Sequence, residues 1–128
     1  MKIVGIGVDI IDNKRIQLSI KNKSFINRIF AKNEILISKK FRNKANFFSK
    51  RFAAKEALAK ALGIGFRDNF NFKDIQIFND KLGKPYYLVS SKIKSLIKKK
   101  KKIKNFNLFL SISDEKEYSI AFTMIEKN

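Results

Sequence analysis

RFAAKEALAKALGIG, residues 51–65, reads as the second half of the chain's best helix, with Gly63 as its stop. The helix is expected over 44–62, because Ala, Leu, Lys and Glu favour helix and a glycine suits the left-handed C-terminal position. Glu56 and Lys60 are four residues apart and so project from one face. A surface ion pair would account for that spacing alone. What favours a functional reading is Asp9, a carboxylate near the end of the apolar, β-branched run IVGIGVDII (3–11). That run is expected to be a buried strand. A charge on a buried strand is costly unless it is paired or holds a metal. Asp9 and Glu56 together can offer two hard oxygen ligands to one Mg²⁺. That ion commonly takes one or two carboxylates and completes its shell with substrate phosphates and water. Lys60 would then direct a cation at the same phosphates, and Arg51 and Lys55 add further positive charge to this segment.

Outward from these segments the elements alternate. Asp12 is placed to cap a helix running to about Ile20. Residues 24–42 read as helix in pieces, with Ser24 and Asn33 as candidate caps. Residues 74–79 alternate as a strand, Asp80 to Pro85 has turn chemistry, and Tyr86 to Val89 resumes a strand, which makes a hairpin. Ile93, Leu96 and Ile97 fall at helical spacing. Residues 107–113 and 118–125 form a second hairpin around a charged turn. The expected fold is a mixed α+β domain over 1–128, with no internal repeat and no interdomain linker.

The net charge of +18 favours a polyanionic or acidic partner. Composition qualifies this. Lys, Asn, Ile and Phe supply 68 of the 128 residues, and all four can be encoded wholly by A and T. Drift in an AT-rich genome therefore accounts for part of the charge, including the run Lys98 to Lys102, read here as the solvated end of a helix. Residues needing G or C stand out against that drift. The five glycines are Gly5, Gly7, Gly63, Gly65 and Gly83, the one proline is Pro85, and five of eight alanines lie between Ala53 and Ala61. They mark segments 5–10, 51–65 and 83–85. The chain has no cysteine, so disulfides and thiolate metal sites are excluded. No apolar run approaches the ~20 residues of a membrane span. Asp9 interrupts the first apolar stretch and no small-residue cleavage site follows, so no signal peptide and a cytoplasmic location are expected.

In order, these segments resemble one family. GIGVDIIDNKR (5–15), RFAAKEALAKALGIG (51–65), GKP (83–85) and LSISDEKEYSIAF (110–122) are similar to the motifs of the holo-acyl-carrier-protein synthases, the small 4′-phosphopantetheinyl transferases. The resemblance covers nearly the whole chain. It implies a compact α+β subunit, helices on a small antiparallel sheet, assembling as a homotrimer with coenzyme A between neighbours. It implies transfer of phosphopantetheine from coenzyme A to a serine of acidic acyl carrier protein, in fatty acid biosynthesis. By resemblance Asp9 and Glu56 are metal ligands, Lys60 serves the reacting phosphates, and Arg51, Lys55, Gly63 and Gly65 lie near the nucleotide. Gly83, Lys84 and Pro85 would form the turn beside adenine and the 3′-phosphate. Arg15, Lys21, Lys23 and Arg28 would face the carrier protein. One departure stands out: the family usually has His after Ser-x-Ser/Thr, where this chain has Asp114, and the chain contains no histidine. Asp114, Glu115, Glu56 or a metal-held water is then left to accept the serine proton. A basic nucleic-acid-binding protein, or an inactive interaction protein on the same fold, are the alternatives. The first lacks any zinc-finger or RNP-like motif.

Overall fold

The computed structural model describes residues 1–64 and 70–128. The element order is β1 (Lys2–Asp12), α1 (Asn13–Ser19), α2 (Lys23–Ile29), α3 (Lys32–Ser38) and α4 (Lys44–Leu62). A 3₁₀ turn (Phe72–Asp74), β2 (Ile75–Asn79), β3 (Pro85–Val89), α5 (Ser91–Lys101), β4 (Phe106–Asp114) and β5 (Tyr118–Lys127) follow. The strands make two antiparallel sheets rather than the one expected, a three-stranded sheet in the order β1-β5-β4 and the separate hairpin β2-β3. Both expected hairpins form, and the second pairs with the N-terminal strand through β5.

Helix α4 lies on one face of the three-stranded sheet, and the glycines of β1 make that approach possible. A Cβ on Gly7 would stand 1.9 Å from the Ala57 carbonyl oxygen, and one on Gly5 would stand 2.4 Å from that of Ala61. Small residues on both sides bring helix backbone against strand backbone. Residues 47–62 of α4 are buried almost throughout, Lys50, Glu56 and Lys60 excepted. The helix ends where expected, at Gly63 with φ +73°. The phenylalanines form the other part of the core, with Phe25, Phe30, Phe47, Phe48 and Phe52 in ring contact along α2 and α4.

Two local expectations differ. The cap of α2 is Asn22, whose side chain accepts from the Ser24 amide at 2.8 Å. Helix α3 starts after Ala31, where Glu34 Oε1 accepts the Ala31 amide at 3.1 Å, so neither Ser24 nor Asn33 is the cap.

Candidate active site

Sheet register and helix position bring Asp9, Glu56 and Lys60 together. Asp9 pairs with Ala121 across β1 and β5, on the side that α4 covers. Lys60 Nζ donates to Asp9 Oδ1 at 3.0 Å and to the Val8 carbonyl at 3.1 Å. The ion pair is asymmetric, since the Lys60 side chain is 54% exposed and that of Asp9 only 14%. Glu56 is half-buried beside them. Burial pushes its carboxyl above the ordinary value and the Asp9 charge pushes it further, while Lys60 and Arg15 act the other way. A carboxyl whose ionisation is disfavoured by burial and by a neighbouring carboxylate is what a divalent cation relieves, and an all-oxygen donor pair suits a hard ion such as Mg²⁺. Among the described residues no group of three or more His, Cys, Asp or Glu stands together, so the remaining ligands would be substrate oxygens and water.

Arg15 is therefore not only a residue of the basic surface. It stands on α1 close enough for its charge to act on Glu56. Lys21, Lys23 and Arg28 are exposed on the following turn and on α2, where Leu18, Phe25 and Arg28 line a shallow groove.

A second set of residues gathers at the other end of α4. Lys50, Arg51, Asn79, Gly83, Pro85, Ile112 and Asp114 line a cavity of about 210 Å³. Arg51 is only 4% exposed and stacks its guanidinium over the Phe47 ring at 3.6 Å. Burial lowers its pKa to about 10, with Glu34 opposing. Its Nη2 donates to Asn79 Oδ1 at 3.0 Å, and Asn79 Nδ2 donates to the Gly83 carbonyl at 2.9 Å. The turn 80–84 is held by the Asp80 carboxylate, which accepts the Leu82 and Lys84 amides, both at 2.9 Å. Lys84 is exposed beside Gly83. Asn79, the link between Arg51 and the turn, was missed in the sequence, where it is only the last residue of an alternating strand.

Lys55 does not belong to either set. It is fully buried and its ammonium pairs with Glu34 Oε1 at 2.7 Å. It also donates to the Phe72 carbonyl at 2.8 Å and to the Ile75 carbonyl. Glu34 in turn accepts the Ile77 amide at 3.2 Å. The expected ligand-facing role of Lys55 is overturned because, one residue before Glu56, it is rotated about 100° around α4 and turned into the interior. It ties that helix to α3 and β2. Gly63 lies about 18 Å along α4 from Arg51 by helical rise, so the two cannot touch one small group. Gly65 lies outside the described residues. Asp114 ends β4, in register with Ser119 rather than in the Asp9 row, and Asn46 Nδ2 donates to its Oδ2 at 2.6 Å.

A sequence profile of the 4′-phosphopantetheinyl transferase superfamily matches residues 5–123. The chain is 61% identical over 127 residues to the holo-[acyl-carrier-protein] synthase of Pelagibacter ubique, covering 99% of both chains. It is 45% identical to that of a Clostridium botulinum strain, covering 95% of this chain and 96% of the relative. Among solved structures it resembles holo-[acyl-carrier-protein] synthase from Neisseria meningitidis, with a TM-score of 0.86, 38% identity, and coverage of 98% and 100%. It also resembles a holo-(acyl-carrier-protein) synthase from Bacillus anthracis in complex with CoA (3′,5′-ADP). There the TM-score is 0.81, the identity 35%, and the coverage 98% of each chain. Motifs, fold and full-length similarity agree, and the chain belongs to the 4′-phosphopantetheinyl transferase superfamily.

Proposed function

We propose that this chain is a holo-acyl-carrier-protein synthase, moving 4′-phosphopantetheine from coenzyme A to a serine of apo-acyl carrier protein. The observation that carries the reading is the meeting of Asp9, Glu56 and Lys60 at one place, in a chain similar over its full length to synthases of that name. In the reaction the serine oxygen bonds to the β-phosphorus of coenzyme A, and the bond from that phosphorus to 3′,5′-ADP breaks. Asp9 and Glu56 would hold Mg²⁺, which when bound neutralises phosphate charge and lowers the cost of the departing 3′,5′-ADP. Lys60, exposed and loosely paired, turns its ammonium from Asp9 to the phosphates. Such transfer needs positioning and charge more than a protein nucleophile. The chain has no histidine, so we assign the serine proton to a carboxylate, Glu56 or Asp114. Arg51, Asn79, Gly83, Lys84 and Pro85 form the nucleotide end. Arg15, Lys21, Lys23 and Arg28 face the acidic carrier protein.

We further read the active assembly as a homotrimer. Two features support this. Arg51 and Lys60 lie apart on α4 although both serve one donor, and the outer face of the three-stranded sheet is apolar and open. Nucleic acid is not part of this reading. A cytoplasmic setting is, consistent with a cysteine-free chain. No helix among the described residues is long and apolar enough to cross a membrane.

The test is direct. Apo carrier protein, mass-tagged coenzyme A and the purified chain are incubated with and without Mg²⁺. We expect a Mg²⁺-dependent mass increase on the carrier serine. An unmodified carrier at any metal concentration would refute the assignment.

A further inference from the structure

Asp114 and Arg51 line the same 210 Å³ cavity yet form no ion pair. Opposite charges sharing so small a space normally close on each other unless something holds them apart. Two asparagines bind Asp114 and the turn after it. Asn46, in the first turn of α4, donates to Asp114 Oδ2 at 2.6 Å. Asn13, the buried first residue of α1, uses its whole amide on the turn that follows Asp114. Its Nδ2 donates to the Glu115 and Lys116 carbonyls at 3.0 and 3.1 Å, and its Oδ1 accepts from Ser119 Oγ at 2.7 Å. Its backbone amide adds a bond to the Glu117 carbonyl at 2.8 Å. The turn is thus fixed from one helix and the carboxylate from another. Arg51 is left with a buried Nε that has no hydrogen-bond partner. A hydrogen-bonding group buried without a partner is costly unless a ligand satisfies it.

We propose that Asn46 is a positioning residue, which with Asn13 holds the Asp114 carboxylate off the Arg51 guanidinium and so keeps that cation available to a phosphate-bearing ligand. The proposal rests on the transferase reading, in which the ligand is the nucleotide end of coenzyme A. Without the clamp, Asp114 swings onto Arg51 and becomes an internal competitor for the donor's phosphate.

Binding of coenzyme A and of 3′,5′-ADP is measured by calorimetry for the unaltered protein, Asn46→Ala, Asp114→Asn and the double variant, alongside steady-state kinetics. Asn46→Ala should weaken binding of both ligands about 10-fold, the scale of one charge-assisted hydrogen bond. It should raise the KM for coenzyme A in parallel, with the carrier KM within about 2-fold. Adding Asp114→Asn should restore affinity, which a merely structural role for Asn46 would not allow. Asn13→Ala, if it folds, should act in the same direction and be rescued in the same way. Unchanged affinity in Asn46→Ala, or an equal loss with Asp114→Asn present, would overturn the proposal. Failure of the unaltered protein to bind coenzyme A would instead sink the transferase reading, and this proposal with it.

Discussion

The Ala57 carbonyl oxygen occupies the place where a side chain on Gly7 would begin, 1.9 Å from an ideal Cβ. This contact fixes the distance between β1 and α4, and with it the distance between Asp9 and Glu56. Gly7→Ala must push helix and strand apart. We expect a loss of about 3 kcal/mol, at the upper end for one added methyl, because backbone and not a flexible side chain must move. Urea unfolding measures it. Metal-dependent activity of the folded fraction should fall as well, since the two carboxylates separate.

Glu56 makes the metal-free protein pH-sensitive. Its folded-state carboxyl is raised by burial and by Asp9, so the protonated form is favoured by folding. That contribution is present below the unfolded carboxylate pKa and is lost as pH rises through the raised folded value. Without metal, Glu56→Gln should therefore melt higher than the unaltered protein at pH 7.5, and the difference should shrink at pH 4. Mg²⁺ should raise the melting temperature of the unaltered protein at pH 7.5 and leave Glu56→Gln unmoved. Equal Mg²⁺ responses would remove Glu56 from the metal site.

The element order and the Glu56–Lys60 pairing were legible because each depends on local signals: β-branched runs, Gly and Pro at turns, and residues four apart on a helix. That Asp9, 51 positions from Lys60, joins them rested on the family resemblance. The fate of Lys55 was not legible. Its neighbours in sequence include the site residue Glu56, but the rotation of one helical step turns it into the interior, and its partner Glu34 lies 21 positions away. Asn13, Asn46 and Asn79 were equally hidden. Asparagine is common in this composition, and nothing local separates a clamp from a surface amide.

Lys55 and Glu34 are both fully buried, and burial lowers the lysine to about 8 even with Glu34 opposing. Lys55→Met removes one partner of a desolvated pair and strips a donor from the Phe72 and Ile75 carbonyls. We expect a loss of about 3–5 kcal/mol. Glu34→Gln added to Lys55→Met should recover part of it, because no uncompensated charge remains. Chemical denaturation of the single and double variants decides this. A loss under 1 kcal/mol for Lys55→Met would show that the pair is not a staple.

Arg15 should act on two steps. As part of the basic surface it should speed carrier association, a salt-sensitive effect screened over about 8 Å at physiological ionic strength. Its charge also lowers the Glu56 carboxyl pKa. Arg15→Ala should thus raise the carrier KM and move the acidic limb of kcat to higher pH, leaving coenzyme A affinity at pH 8 unchanged. A carrier effect with an unmoved acidic limb would confine Arg15 to docking.

The outer sheet face bears on assembly. Register sets Ile6, Met124 and Phe109 in one cross-strand row, then Val8 with Phe122, then Ile10 with Ile120. Val8 is 51% exposed, Ile10 58% and Ile6 59%. The other face of the same sheet is filled by α4, so solvent exposure here is not a failure of local packing. A contiguous apolar surface of this kind marks an interface, and one sheet face repeated around an axis gives a closed oligomer. Val8→Lys sits at the middle of the patch and touches neither carboxylate nor cavity. In a homotrimer it should yield a folded monomer by light scattering, with the far-ultraviolet circular dichroism retained. Transfer activity should fall by at least 10-fold if the donor binds between subunits, because Arg51 and Lys60 then serve it from different chains. A monomer that keeps full activity would place the whole site within one chain. An unaltered protein that is already monomeric at micromolar concentration would remove the trimer from the reading altogether.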